Sequence, residues 1–87
     1  MSERIEKFTT VVRDQDGITY EVEAVGATTA QGLWEGWLEF APSNASLPIL
    51  RTERETTQPN KQALEYWASG LEPVYFQGAF ARAQPKR

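Results

Sequence analysis

The chain has 87 residues, 40% of them hydrophobic and 11% aromatic, which fits a single domain and leaves no room for a second. Without cysteine or histidine it lacks disulfides, thiolate metal ligands and the commonest general base, so a reducing compartment is favoured and an enzyme disfavoured. A net charge of −3 opposes binding to nucleic-acid phosphates, and no segment has the roughly 20 apolar residues of a membrane span. We therefore expect a cytoplasmic, non-enzymatic domain over residues 1–87, with flexible ends at 1–6 and 84–87.

The first predicted element is a β-hairpin formed by residues 7–13 and 18–25, which are rich in Thr, Val, Tyr and Phe. The Asp-Gly pair at 16–17 favours a three-residue loop with Gly17 in the left-handed conformation, which sets Val12 opposite Tyr20. This register gives one apolar face, whereas a two-residue loop would turn Phe8 and Val12 toward acidic neighbours. The further expected pairs are Thr10 with Val22 and Phe8 with Ala24.

A third strand is predicted at residues 33–40 and a fourth at 49–55, separated by a loop rich in Pro, Ser and Asn at 42–48. Gly36 interrupts the third strand. A glycine inside a strand indicates a bulge, a strong bend or the close approach of another group. The alternation of side chains places Trp34 on the core side, and it places Glu35, Trp37 and Glu39 on the opposite side.

A helix is predicted next, because apolar residues from Ala63 to Leu71 recur at three- and four-residue spacing. Pro59 falls in its first turn after a cap at Thr57 or Gln58, and Gly70 is placed to end it. Residues 74–82 alternate larger and smaller side chains and are predicted to be a final strand. The expected fold class is α+β: a small, curled, mostly antiparallel five-stranded sheet or partial barrel, with one helix between strands 4 and 5.

Residues 72–78 read Glu-Pro-Val-Tyr-Phe-Gln-Gly, which resembles the cleavage consensus of the tobacco etch virus protease. The segment is followed by nine residues that continue the alternating pattern, and no His run precedes it, so it is interpreted as native sequence. A structured segment should resist cutting.

Acidic residues dominate the middle of the chain: residues 14–50 contain six carboxylates and no Lys or Arg. If strands two and three are neighbours, four of these acids surround one tryptophan on one face of the sheet, and like charges side by side are mildly destabilising. This repulsion can be relieved within the chain, if Arg13, Arg51 or Arg54 reaches across as a counter-ion or the helix covers the ring. Alternatively, a basic partner protein binds there. The hypothesis favoured here is the partner, and the expected binding residues are Trp37, Glu35, Glu39, Glu21 and Glu23.

Two other functions remain open. A small-barrel nucleic-acid-binding module would need the basic residues to converge on one face: Arg51, Arg54, Arg82, Lys86 and Arg87. A small-ligand pocket beneath the helix is the third reading, and exposed Tyr66 and Tyr75 could form a homodimer patch. No catalytic residue or cofactor site is predicted, because the chain has no His or Cys and its acidic residues form no recognisable catalytic constellation. No metal site is predicted either, because the partial calcium-loop pattern that starts at Asp14 has Val25 where its twelfth-position Glu should stand.

Overall fold

The computed structural model describes residues 1–85 and has an α+β fold, with a curled antiparallel sheet of five strands and two helices. Lys86 and Arg87 of the predicted C-terminal end lie outside the described residues. The first three strands are sequential neighbours, and the two short ones both pair with the far edge of the third. Residues 3–6, expected in a flexible end, belong to the first strand. The elements are β1 Glu3–Arg13, β2 Thr19–Thr28, β3 Trp34–Pro42, β4 Leu50–Arg51, β5 Thr56–Gln58, α1 Lys61–Ser69 and α2 Pro73–Ala83.

The β1–β2 hairpin has the predicted three-residue loop. Gly17 has a φ of 81°, and Val12 pairs with Tyr20. One carboxylate oxygen of Asp14 accepts the backbone N–H groups of Asp16 and Ile18, both at 2.9 Å, which fixes the turn.

The predicted pairs of Thr10 with Val22 and of Phe8 with Ala24 are wrong. The register shifts between Lys7 and Val11, so that three residues of β1 lie opposite one residue of β2. Such an insertion bends the longer strand. The Phe8 ring contacts Phe76 of α2, with the ring centroids 4.6 Å apart.

Close approach of α1 to the sheet accounts for the glycine in β3. Gly36 pairs with Gly26 of β2, and Leu64 of α1 packs over both. A methyl group on Gly36 would lie 2.6 Å from one Leu64 Cδ atom, and one on Gly26 would lie 2.5 Å from the other. The helix starts later than predicted, because the side chain of Asn60, rather than Thr57 or Gln58, accepts the N–H of Ala63 at 2.8 Å.

The predicted final strand at residues 74–82 is wrong, because Pro73–Ala83 form the helix α2. Pro73 occupies the first helical turn, where its missing N–H costs nothing. The buried residues Phe76, Ala79 and Phe80 follow the three- and four-residue spacing of a helix, and this outweighs the alternation of large and small residues. The fifth strand is therefore Thr56–Gln58, and both helices follow it.

Both helices pack on one face of the sheet, which we call the inner face. The Phe80 ring of α2 contacts Tyr20 of β2 at 4.9 Å and Phe40 of β3 at 5.2 Å between centroids. The predicted fourth strand shrinks to Leu50–Arg51, because Thr52 then turns its hydroxyl toward the backbone N–H of Leu38 at 3.1 Å. The core thus lies between α2, α1 and the inner face, and the opposite face carries no helix within residues 1–85.

Candidate interaction surface

The sheet brings the predicted site residues together on the face opposite the helices, which we call the outer face. Trp37 pairs with Val25, and Glu39 pairs with Glu23 in the next row. Glu35 lies one row to the other side, opposite Ala27, and Glu21 lies opposite Ala41 near the hairpin end. Because side chains alternate across a strand, these residues share one side of the sheet. Trp34 lies on the inner side, as expected, but at its margin, where it is half-buried rather than part of the core.

Trp37 is on the outer face but is only 7% exposed. The guanidinium carbon of Arg51 lies 4.8 Å from the ring centroid, and the indole N–H donates to Glu39 at 3.0 Å. Arg51 is the β4 residue paired with Glu39, so the strand pairing itself carries its side chain over the ring. A contact of this kind stabilises by roughly 0.5 to 2 kcal/mol. The ring is therefore covered by a basic residue of the same chain, which is the alternative to an exposed anchor.

Three further ion pairs balance the carboxylates of the outer face. Arg4 lies 3.1 Å from Glu23, and Lys7 lies 3.7 Å from Glu21. The third pair joins Arg54 and Glu35 at 3.6 Å. Each of the three basic side chains is about half exposed or more, so each pair contributes about 0 to 1 kcal/mol.

Of the counter-ions expected from the sequence, Arg54 pairs with Glu35 and Arg51 covers Trp37, whereas the two basic residues from β1 were not expected. Arg4 and Lys7 lie outside the acidic stretch, and the register shifts of β1 decide which acid each one faces. Alternation along β1, with Val12 inside, could have located Lys7 on the outer side, whereas Arg4 reaches that side only through the register shift between Arg4 and Glu6.

Two exposed apolar residues add to the outer face. Val11 is paired with Glu21 and is 50% exposed. Ile49 directly precedes β4 and is 62% exposed, and continued alternation from Leu50 and Arg51 puts its side chain on the outer side. The outer face therefore combines exchangeable ion pairs with apolar area.

The three arginines of the nucleic-acid alternative line one depression at the sheet edge, with a volume of about 460 Å³. Glu53 and Glu55 line it too, so the depression has mixed charge. Arg51 lies over Trp37 and Arg54 faces Glu35, as described above. Arg82 contacts the carboxylate of Glu55 at 2.6 Å. All three guanidinium groups thus have partners within the chain.

Glu55 also receives a hydrogen bond from the hydroxyl of Tyr75, which ties α2 to the β4–β5 connection. Burial, followed by this hydrogen bond, raises the pKa of Tyr75 to about 12. The bond to Glu55 raises the pKa of Arg82 as well. Tyr66, by contrast, is 82% exposed on α1, so the two tyrosines of the homodimer hypothesis differ in environment.

Comparisons of the chain with protein-family models, curated proteins and solved structures found no match. Within residues 1–85, neither helix is long and apolar enough to cross a membrane. The same residues contain no group of three or more acidic side chains placed to hold a metal ion.

Proposed function

We propose that the protein is a non-enzymatic interaction module of the cytoplasm that binds a partner protein through its outer face. The observation that carries this proposal is the exposure of Val11 and Ile49 on a sheet face that neither helix covers. Apolar area of this kind next to charged groups is typical of the core and rim of a protein interface. The absence of cysteine supports the reducing compartment.

The partner that fits this face has apolar side chains flanked by basic ones. The pairs of Lys7 with Glu21 and of Arg54 with Glu35 span 3.6 to 3.7 Å and are open to water, so exchanging either cation for one of a partner costs little. An arginine of the partner can bind a carboxylate in a bidentate manner, which is stronger than these pairs. The net charge of −3 also speeds the encounter with a basic surface.

In this proposal Trp37 lies beneath the interface and does not insert into the partner as an anchor. Its ring is covered by Arg51, and its indole N–H is already bonded to Glu39. A partner contacts the ring only after Arg51 swings aside. Glu21 and Val11 are therefore the better positions for testing, because both are exposed.

The test compares Glu21→Lys with Glu65→Lys. Both variants change the net charge equally, but Glu65 is an exposed residue of α1, away from the outer face. Partners are captured from native lysate, identified, and titrated against each variant. We expect wild type and Glu65→Lys to bind the same protein equally, and Glu21→Lys to bind it at least about tenfold more weakly. Equal weakening by both variants would mean that only net charge matters, and the outer face would lose its role.

A nucleic-acid-binding module is the weaker alternative. Its support is that Arg51, Arg54 and Arg82 share one depression. Their pairing with the ring or with acids leaves little positive field there for phosphates. A steep loss of binding to single-stranded DNA with added salt would favour this alternative.

A further inference from the structure

A second surface feature lies at the hairpin end of the molecule, away from the row of Trp37. It is a cavity of about 500 Å³ between the β1–β2 loop, the loop before β4 and the end of α2. This volume falls in the range of small-molecule sites, roughly 300 to 1,000 Å³. One side of the cavity is acidic and the other is apolar, and the two sides come from segments distant in sequence.

The acidic side combines two carboxylates with a buried phenol. Asp14 is held rigidly, because one of its oxygens accepts the N–H groups of Asp16 and Ile18. Tyr20 is only 6% exposed, yet it lines the cavity. Burial, and after it the charge of Asp14 and a hydrogen bond to its carboxylate, raises the pKa of Tyr20, so the hydroxyl stays neutral. The hydroxyl donates its proton to the carboxylate of Asp14, so its oxygen can still accept a hydrogen bond from a donor in the cavity.

The apolar side is formed by Leu47, Pro48 and Leu50. Two backbone hydrogen bonds hold the loop that carries them, one at its start and one across its turn. The N–H of Ser43 donates to the carbonyl of Thr19 of β2 at 2.8 Å, and the N–H of Leu47 donates to the carbonyl of Asn44 at 3.0 Å. The wall is therefore in place without a ligand, which reduces the entropy lost on binding.

We propose that this cavity binds a small organic ammonium ion, with the charged group between Asp14 and Asp16 and the apolar body against Leu47, Pro48 and Leu50. The held carboxylate of Asp14 and the exposed one of Asp16 provide the attraction, and the Tyr20 hydroxyl accepts a hydrogen bond from the ammonium group. An organic anion meets two like charges and is excluded. A neutral analogue keeps only the apolar contacts. The site is separate from the outer-face residues proposed to bind a partner protein, so the failure of either proposal leaves the other standing.

The test uses benzylamine, which is protonated at neutral pH, with benzyl alcohol and benzoate as probes of the same size. Amide chemical shifts of the labelled full-length protein are followed during titration. We expect benzylammonium to shift the amides of residues 14–20 and 47–50 saturably, with benzyl alcohol binding more weakly and benzoate not at all. Equal shifts with benzyl alcohol, shifts elsewhere, or no shifts would overturn the proposal.

Asp16→Asn provides the matched variant, because Asp16 is exposed and its carboxylate does not hold the turn. We expect benzylammonium to bind this variant about three- to fivefold more weakly, as for the loss of one exposed charge pair. Glu65→Gln removes the same charge outside the cavity and should leave the affinity unchanged. Equal weakening by both variants would show attraction to net charge alone and would also overturn the proposal.

Discussion

Leu64 packs against the paired glycines Gly26 and Gly36, so the effect of a methyl group added at Gly36 on stability should depend on whether Leu64 is present. In the wild-type background, Gly36→Ala places a methyl 2.6 Å from Leu64, a buried side chain with no exposed surface, and 3.2 Å from Thr56. The φ of Gly36 is not in the left-handed region, so the effect is steric and not conformational. Overpacking of this kind costs about 1 to 3 kcal/mol, and for a domain of this size each kcal/mol lowers Tm by about 4 to 8 °C.

Leu64→Ala alone should cost about 2 to 5 kcal/mol, because it leaves a cavity over the two glycines. In that background the methyl of Gly36→Ala enters vacated space. We therefore expect Gly36→Ala to be neutral or stabilising there, with a coupling energy of at least about 1 kcal/mol between the two positions. Urea unfolding followed by tryptophan fluorescence gives all four corners of this cycle.

Gly78→Ala is the control for the general effect of adding a methyl group. Gly78 is exposed on α2, and a methyl there has only Arg82 nearby, at 3.8 Å. This substitution should stabilise the protein by about 0.5 to 1 kcal/mol through helix propensity. If Gly36→Ala costs the same with and without Leu64, or costs nothing in wild type, then close packing of α1 does not explain the glycine pair.

Three other predictions follow from the packing. Trp37→Ala should destabilise by about 3 to 5 kcal/mol in urea unfolding, because the ring is 7% exposed, whereas a loss below about 1 kcal/mol would indicate an exposed anchor. The pKa of Tyr75 is about 12 against about 10 in the unfolded chain, so its contribution to stability is complete below about pH 10 and is lost as pH rises through 12. Urea midpoints at about pH 9 and 11 should therefore fall more for wild type than for Tyr75→Phe, and equal falls would refute the assignment. Tobacco etch virus protease should leave the native chain intact, because residues 73–78 of its consensus are part of α2. Phe80→Ala should speed cleavage by loosening that helix, and rapid cutting of wild type would contradict a stably docked α2.

The hairpin and the first helix could be read from the sequence because local signals agreed there. Asp-Gly at 16–17 selected the loop, and apolar spacing selected α1. The register shift of β1 could not be read, because it depends on the contact of Phe8 with a helix more than 60 residues away. The sequence of α2 is compatible with two periodicities: the aromatic residues fit the alternation of a strand, while Phe76, Ala79 and Phe80 fit the spacing of a helix. Pro73, which is favoured in the first turn of a helix, was the signal that distinguishes them.

For the candidate site, sequence alternation was sufficient to group Trp37 with the four glutamates, because a strand has only two sides. It was not sufficient to determine exposure. Trp37 is covered by Arg51, whose position follows from the pairing of β4 with β3. The sequence shows the length of the loop between these strands, but it does not show how the loop folds back to pair them. The side of the sheet on which a residue lies is therefore set by its own strand, whereas its burial depends on which distant strand pairs with that strand. For this reason the proposed binding surface depends on the exposed residues Val11 and Ile49 rather than on the covered ring of Trp37.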